Sequence, residues 1–104
     1  MTVTEIKEML EETGLSVWYN HADEETPIPF IIYDVAENDN FPADNRTYLR
    51  KYNLTTGLVT EVKDTETEKL LEDVFGDNDI QYTKSSSYDS DAKVYLTVYE
   101  SEVI

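Results

Sequence analysis

The chain has 104 residues, and 8 Lys and Arg against 23 Asp and Glu give it a formal net charge of −15 at pH 7. This length suits one domain, and a hydrophobic fraction of 39% is too high for a chain disordered throughout. The absence of cysteine excludes disulfides, zinc–thiolate sites and cysteine nucleophiles, and the excess of acids argues against binding nucleic acid through its phosphates.

The first segment predicts a helix. Thr2 and Glu5 have the spacing of a capping box, in which each side chain accepts a hydrogen bond from the other residue's backbone N–H. Gly14 is placed to end the helix in the left-handed conformation. One apolar stripe runs along the segment, formed by Val3, Ile6, Met9 and Leu10. No basic-then-apolar order typical of a secretion signal is present here, so we expect a soluble, cytosol-compatible domain with no membrane association.

The next part of the chain predicts strands separated by polar loops. Apolar residues alternate from Leu15 to Tyr19, which indicates a strand, and residues Asn20–Pro29 form a polar loop. A short apolar run begins at Phe30 and predicts a buried strand that extends to about Ala36. The segment Glu37–Asn45 is rich in Asn and Asp and predicts a loop or a wide hairpin turn.

The middle of the chain leaves two alternatives open. Alternation resumes in Thr47–Thr55, where Tyr48 and Tyr52 share a face. Around Gly57 the sequence favours either a turn into a further strand, Leu58–Val62, or one long bulged strand. The residues alone do not separate these two interpretations.

The second half predicts another helix followed by strands. Thr65 and Glu68 have capping-box spacing, the apolar residues to Phe75 lie on one side, and Gly76 is the expected end. A short strand is expected around Ile80 and Tyr82. The run Ser85–Asp91 predicts a flexible loop, and Lys93–Val103 predicts the final strand. The sequence therefore predicts a single α+β domain over residues 1–104, with two helices packed on one face of a mostly antiparallel sheet in the order α-β-β-β-(β)-α-β-β.

No motif with catalytic chemistry emerges. Loops starting at Asp39 or Asp77 fail the ligand spacing of an EF-hand, so solvated turns and helix ends are the favoured interpretation. The lone imidazole, His21, has no nucleophile at a telling spacing, and three glycines provide no phosphate-binding loop. We therefore predict no catalytic, cofactor-binding or metal-binding residue, and a protein that is not an enzyme.

Tyrosine is the most informative residue type. Eight tyrosines help to bring the aromatic content to 12%, and Tyr95 and Tyr99 share one face of the final strand. These residues either pack across strands beneath the helices or form a face presented to a partner. Because a sheet has two faces, both interpretations can be true of the same strand. We expect the face of Val94, Leu96 and Val98 to contact the helices and the face of Tyr95 and Tyr99 to contact another subunit.

Several segments together carry a resemblance that covers nearly the whole chain: Pro29–Tyr33, Asn38–Asn45 with Tyr48, the helix Glu66–Phe75, Asp79–Tyr82 and Val94–Glu100. In these segments the chain resembles small morphogenesis proteins of long-tailed bacteriophages and prophages, which include head–tail joining and tail-completion components. The element order is similar to that of tail terminators, which form a ring on the end of the tail tube. The segment Leu54–Lys63 is less strand-like than this resemblance implies.

The resemblance implies a structural virion protein that forms a homo-oligomeric ring of six copies, without a cofactor. The implied partners are tail-tube and head-connector proteins, and the implied location is the virion, or the bacterial host cytoplasm during assembly. Six copies would carry six times −15, a formal charge of about −90, and an acidic lumen would not hold DNA. Interface residues are expected in the loops Asn20–Pro29 and Glu37–Asn45 and at Tyr48, Tyr52, Tyr95, Tyr99, Phe41 and His21. The alternative function is a small acidic inhibitor that mimics DNA and blocks a nucleic-acid enzyme.

Overall fold

Two helices and five strands make up the fold in a computed structural model, which describes residues 2–23, 25–38 and 51–103. The predicted α+β fold class is confirmed, since both helices pack on one face of a mostly antiparallel five-stranded sheet. In chain order the elements are α1 (Val3–Glu11), β1 (Ser16–Tyr19), β2 (Phe30–Asn38), β3 (Lys51–Thr60), α2 (Thr65–Asp77), β4 (Tyr82–Asp89) and β5 (Val94–Val103).

Helix α1 begins as the sequence predicts. The backbone N–H of Glu5 donates to Thr2 Oγ1 at 3.1 Å, and the backbone N–H of Thr2 donates to Glu5 Oε1 at 2.9 Å. These hydrogen bonds, led by the one from the Thr2 backbone, lower the pKa of the Glu5 carboxyl. Gly14 follows the helix with φ of 81°, a left-handed conformation that costs glycine little. The capping box and the helix end are therefore confirmed.

Helix α2 begins differently from the prediction. Asp64 is the N-cap, and its carboxylate accepts hydrogen bonds from the Thr67 backbone N–H at 3.1 Å and from Thr67 Oγ1 at 2.7 Å. Thr65 is the first helical residue, so the predicted capping box of Thr65 with Glu68 is wrong. A carboxylate N-cap satisfies the free backbone donors itself, which leaves Glu68 available for contacts elsewhere.

The end of α2 also corrects the prediction. Gly76 lies within the helix, which continues to Asp77. Asn78 caps the helix, and its Nδ2 donates to the Val74 carbonyl at 2.8 Å. Asp79 then adopts a left-handed φ of 55°, a conformation that short polar side chains tolerate. The reversal of the chain therefore falls on Asn78 and Asp79 and needs no glycine.

The strand order in the sheet is β1-β2-β3-β5-β4. Strands β1 and β2 are parallel, with Ser16 opposite Phe30, and all other pairs are antiparallel. The predicted polar loop, residues 20–29, returns the chain so that β2 runs alongside β1. Glu37 and Asn38, placed in a loop by the sequence, are the last residues of β2. The rest of that predicted loop and the segment before Lys51 lie outside the described residues.

Strand β3 resolves the alternative at Gly57. Its pairing with β2 runs without interruption from Asn38↔Lys51 to Phe30↔Val59, and its pairing with β5 is equally continuous. A single strand without a bulge therefore occupies this segment, so the hairpin and the bulge are both wrong. A Cβ atom at Gly57 would lie 3.3 Å from Leu96 Cδ1, so the glycine gives the Leu96 side chain room against the backbone.

Strand β4 includes residues that the sequence predicted as a flexible loop. Residues Ser85–Asp89, predicted as part of a flexible loop, belong to this eight-residue strand, and the turn begins only at Ser90. An edge strand pairs on one side and needs little apolar content. Here the backbone ladder with β5, from Tyr82↔Ser101 to Asp89↔Val94, holds an almost wholly exposed and polar segment in the sheet.

The core lies between the helices and one face of the sheet, which we call the helix face. On β5 the helix face carries Tyr99, Thr97 and Val103, whose side chains are 0%, 1% and 3% exposed. The predicted face of Val94, Leu96 and Val98 lies on the other side, so the two predicted faces of β5 are exchanged. The core cluster consists of Ile6, Met9, Leu10, Ile31, Tyr33, Leu54, Leu58, Leu71, Val74, Phe75, Ile80, Tyr99 and Val103.

Candidate interaction surface

The second face of the sheet has no helix packed on it within the described residues, and we call it the open face. Its side chains alternate along each strand with those of the helix face. One half of it is apolar: neighbouring strands bring together Phe30 with Val59 and Leu96, and Ile32 with Gly57 and Val98. These side chains are half-buried apart from Val59, which is 8% exposed. The apolar half consists of Trp18, Phe30, Ile32, Gly57, Val59, Leu96 and Val98.

The other half of the open face is acidic. Asp34, Thr55, Glu100 and Thr83 form one row across four strands, and the next row includes Glu102. All of these side chains are exposed. A shallow depression of about 800 Å³ lies at this end, lined partly by Thr55, Thr83, Glu100 and Glu102. The open face therefore combines an apolar region with a separate region of negative charge.

Loop 20–29 borders the apolar half. A cleft of about 550 Å³ lies between this loop and β1, lined by Ser16, Trp18, Asp23, Glu25, Thr26 and Pro27. Trp18 Nε1 is buried there and has no hydrogen-bond acceptor among the residues that the structure describes. Trp18 is therefore held at the edge of the open face by packing.

The tyrosines predicted for an interface are distributed differently from the expectation. Tyr99 is fully buried beneath α2, and Tyr52 is half-buried against the core. Tyr95 is half-buried, and its ring centroid is 4.9 Å from that of Tyr88. All of these lie on the helix face, so the tyrosine face and the open face are not the same surface. His21 is exposed in the loop after β1, and its backbone N–H donates to the Tyr19 carbonyl at 2.8 Å.

Two further predicted interface residues, Tyr48 and Phe41, lie outside the described residues. Of the six predicted residues, the structure describes Tyr52, Tyr95, Tyr99 and His21, and it brings none of these four onto the open face. Its apolar half instead uses the residues of β5 that the sequence analysis assigned to the helices.

A charged cluster on the helix face connects α2 to β4 and β5. Glu68 is 2% exposed, and Lys84 Nζ lies 2.7 Å from its Oε1 while Lys63 Nζ lies 3.0 Å from both of its carboxylate oxygens. Lys84 Nζ also contacts Glu72 Oε2 at 2.8 Å. The hydroxyl of Tyr99 donates to the same Glu72 oxygen at 2.8 Å. The cluster thus joins one helix to two strands through ionic and hydrogen-bonded contacts.

The pKa shifts in the cluster follow from its geometry. Burial acts to raise the pKa of Glu68, but the hydrogen bonds and charges of Lys84 and Lys63 outweigh it and lower the pKa. Glu72 shows the same balance, with Lys84 and the Tyr99 hydroxyl lowering its pKa. Burial, and then the Glu72 carboxylate, raise the pKa of Tyr99, so this hydroxyl remains a donor at physiological pH. The cluster is therefore a fixed ionic connection at neutral pH.

Sequence patterns could have indicated this cluster only in part. Asp64 is a better N-cap than Thr65, so the sequence could have indicated that Glu68 is not needed for a capping box. Lys84 is the one charged residue in the otherwise neutral run from Ile80 to Tyr88. Pairing the two residues requires knowing that β4 lies under α2. That is a tertiary relationship between segments 16 positions apart.

Two further kinds of feature are absent from the described part of the chain. No group of three or more His, Cys, Asp or Glu side chains is positioned to hold a metal ion in that part of the chain. Among the helices described here, neither is long and apolar enough to cross a membrane. Comparison with known protein families and with curated proteins found no match for this chain.

Proposed function

We propose that this protein is a structural component of long-tailed bacteriophage or prophage particles, a tail terminator or head–tail joining protein that assembles as a ring at the end of the tail tube. In this function the protein carries out no chemistry and works by binding copies of itself and its neighbours in the particle. The sequence resemblance described above motivates the proposal. The element order, with two helices on one face of the sheet, agrees with what that resemblance implies.

The observation that carries the proposal is the apolar half of the open face. Phe30, Ile32, Leu96 and Val98 lie close together on this sheet face and stay partly exposed, with no helix over them among the residues that the structure describes. Contiguous apolar surface of this kind marks protein–protein contact sites. Burial of such surface stabilises association by about 25 cal/mol per Å² before the entropic costs of binding are subtracted.

The charge distribution limits how copies can pack. At −15 per chain, two copies repel each other, but repulsion between exposed charges is screened over about 8–10 Å at physiological salt. Contacts through the apolar half would keep the acids of the other half, including Asp34, Glu100 and Glu102, outside the contact. We therefore expect association to strengthen as salt concentration rises.

The test is the mass of the purified protein in solution, measured by light scattering across a range of protein and salt concentrations. A ring of six copies would have six times the chain mass of 12.0 kDa, about 72 kDa, and electron microscopy would reveal its outline. Binding to purified tail-tube protein of a long-tailed phage is the second measurement. A protein that is monomeric at high concentration and does not bind tail-tube protein would refute the proposal.

A matched pair of variants locates the contact. Leu96→Ser removes apolar surface from the open face, whereas Leu70→Ser makes the same change on α2, where Leu70 is 47% exposed. The first variant is expected to weaken association and the second to leave it unchanged, with both folded by circular dichroism. If the protein instead competes with DNA for a nuclease, the DNA-mimic function replaces this one.

A further inference from the structure

Strand β4 forms an edge of the sheet without the usual protective features. Edge strands in natural proteins are commonly short, bulged, interrupted by proline or lined with charges, because unpaired backbone groups recruit other strands. The opposite edge, β1, has four residues, but β4 has eight in unbroken register with β5 and contains no proline. Among the described strands, β5 is the only neighbour of β4.

The single lysine in β4 does not oppose the pairing of another strand with this edge. The Lys84 ammonium is turned over the helix face, where Glu68 and Glu72 hold it at 2.7 and 2.8 Å. The central residues of the strand are the small, exposed side chains of Ser85, Ser86 and Ser87. A second backbone can approach this edge without displacing a bulky side chain.

The charge around β4 also differs from that of the rest of the molecule. The strand carries one Lys and one Asp and is formally neutral in a chain of net charge −15. Counted together with the strand, the adjoining ion pairs bring three lysines, Lys63, Lys69 and Lys84, against four acids, Glu68, Glu72, Asp73 and Asp89. These charges sum to −1, so electrostatic repulsion between two copies is weaker on the helix-face side of the β4 edge than at the acidic half of the open face, where Thr83 lies beside Glu100.

We propose that β4 is a self-association edge, at which the β4 strands of two copies pair antiparallel about a two-fold axis to form one continuous ten-stranded sheet. This inference does not rest on the proposed function, because a two-fold contact joins two copies only and any ring is built through other surfaces. The energy of the contact comes from main-chain hydrogen bonds, as in other cases of strand addition.

Symmetry restricts the register of this pairing. Opposed residues of antiparallel strands project to the same face, and a two-fold axis normal to the sheet keeps the helix faces of both copies on one side. A residue of one copy can therefore lie opposite only those residues of the other copy that are an even number of positions away in the sequence. It follows that one residue lies opposite its own counterpart in the other copy, at the two-fold axis. The two longest pairings place Ser85 or Ser86 on the axis and pair residues 82–88 or 83–89 of the two copies.

The absence of native cysteine makes this register testable by disulfide trapping. Single variants Ser85→Cys, Ser86→Cys and Thr55→Cys are oxidised with diamide, and covalent dimer is measured by non-reducing electrophoresis. Thr55 is the control because it is exposed on the open face in a central strand. Directly opposed Cβ atoms in antiparallel strands lie about 4.5–5.5 Å apart, and those of non-hydrogen-bonded pairs approach the separation of about 3.5–4.5 Å that a disulfide needs.

We expect a covalent dimer with Ser85→Cys or Ser86→Cys at a yield at least tenfold above that of Thr55→Cys, whether the protein in solution is this dimer alone or a larger assembly that contains it. The position with the higher yield identifies the axis. Equal yields in all three variants, with each folded by circular dichroism, would overturn the proposal. A higher yield from Thr55→Cys would overturn it in favour of contact through the open face. Neither result decides the proposed function, which is tested separately by binding to tail-tube protein.

Discussion

Replacing Lys84 by Met tests how far the charged cluster holds α2 on the sheet. Lys84 is 34% exposed and contacts two carboxylates, at 2.7 Å from Glu68 and 2.8 Å from Glu72. Met keeps the length and the apolar stem of the side chain while removing the ammonium group. Among the described residues, the buried carboxylate of Glu68 then retains Lys63 alone as a cationic partner.

The size of the effect follows from the burial of the two partners. Removing one member of a buried ion pair costs about 3–5 kcal/mol, because the other charge is left in a desolvated site. Lys84 is partly exposed and Lys63 remains at 3.0 Å, so we expect a smaller loss, about 2 kcal/mol in the free energy of unfolding. With a typical urea m-value of about 2 kcal/mol/M, the unfolding midpoint falls by about 1 M.

The pH dependence provides a second readout with a defined sign. The lowered pKa values of Glu68 and Glu72 stabilise the folded state above their unfolded value of 4.5, and this stability is lost as the pH falls through the folded values. The raised pKa of Lys84 stabilises the folded state at pH values below 10.5, and this stability is lost as the pH rises through the raised value. The difference between wild type and Lys84→Met is therefore largest near neutral pH and shrinks toward both extremes.

Lys69→Met is the matched control, since Lys69 and Asp73 form a pair whose side chains are 75% and 59% exposed. Such exposed pairs contribute about 0.5 kcal/mol or less. Urea unfolding followed by circular dichroism compares both variants with wild type. If Lys84→Met unfolds at the same midpoint as Lys69→Met, the cluster does not stabilise the fold as argued here.

Two further pairs of variants, each with a matched control, test α2 and its contacts by urea unfolding. Tyr99→Phe removes a buried hydroxyl that donates to Glu72 at 2.8 Å, and we expect it to lower the free energy of unfolding by about 1.5 kcal/mol. Tyr88→Phe is the control, because the Tyr88 side chain is 52% exposed and its change should leave stability unchanged. Equal effects of the two variants would contradict the role of this hydrogen bond. Asp64→Ala should lower the midpoint and Thr65→Ala should not, because Asp64 rather than Thr65 accepts the hydrogen bond of the Thr67 N–H. The reverse order would restore the capping box predicted from the sequence.

Local patterns were sufficient where local contacts decide the structure. The capping box of Thr2 and Glu5 and the stripe through Ile6 and Leu10 involve residues within a few positions of each other, and α1 forms as they predict. The short apolar run that begins at Phe30 likewise identified β2. The fold class followed from the order of these elements, because each amphipathic element must bury one face.

The errors arise where distant residues decide. Both faces of β5 are apolar enough to meet the helices. The face that does so carries Tyr99, which packs against Phe75 of α2 and donates its hydroxyl to Glu72, 27 positions away. Strand β4 carries almost no apolar signal, since its ladder with β5 and the contacts of Lys84 with α2 hold it in place. The open face could not be identified for the same reason: it was the face that the sequence analysis had assigned to the core.

Trp18, the only tryptophan of the chain, stands at the border of the open face and away from the packing beneath the helices. Its indole emission is consequently an intrinsic optical reporter of whatever covers that border. A spectral shift on mixing with a candidate neighbour, without a change in circular dichroism, would signal occupancy of the surface in the unlabelled protein. The same signal would allow the kinetics of that association to be followed in real time.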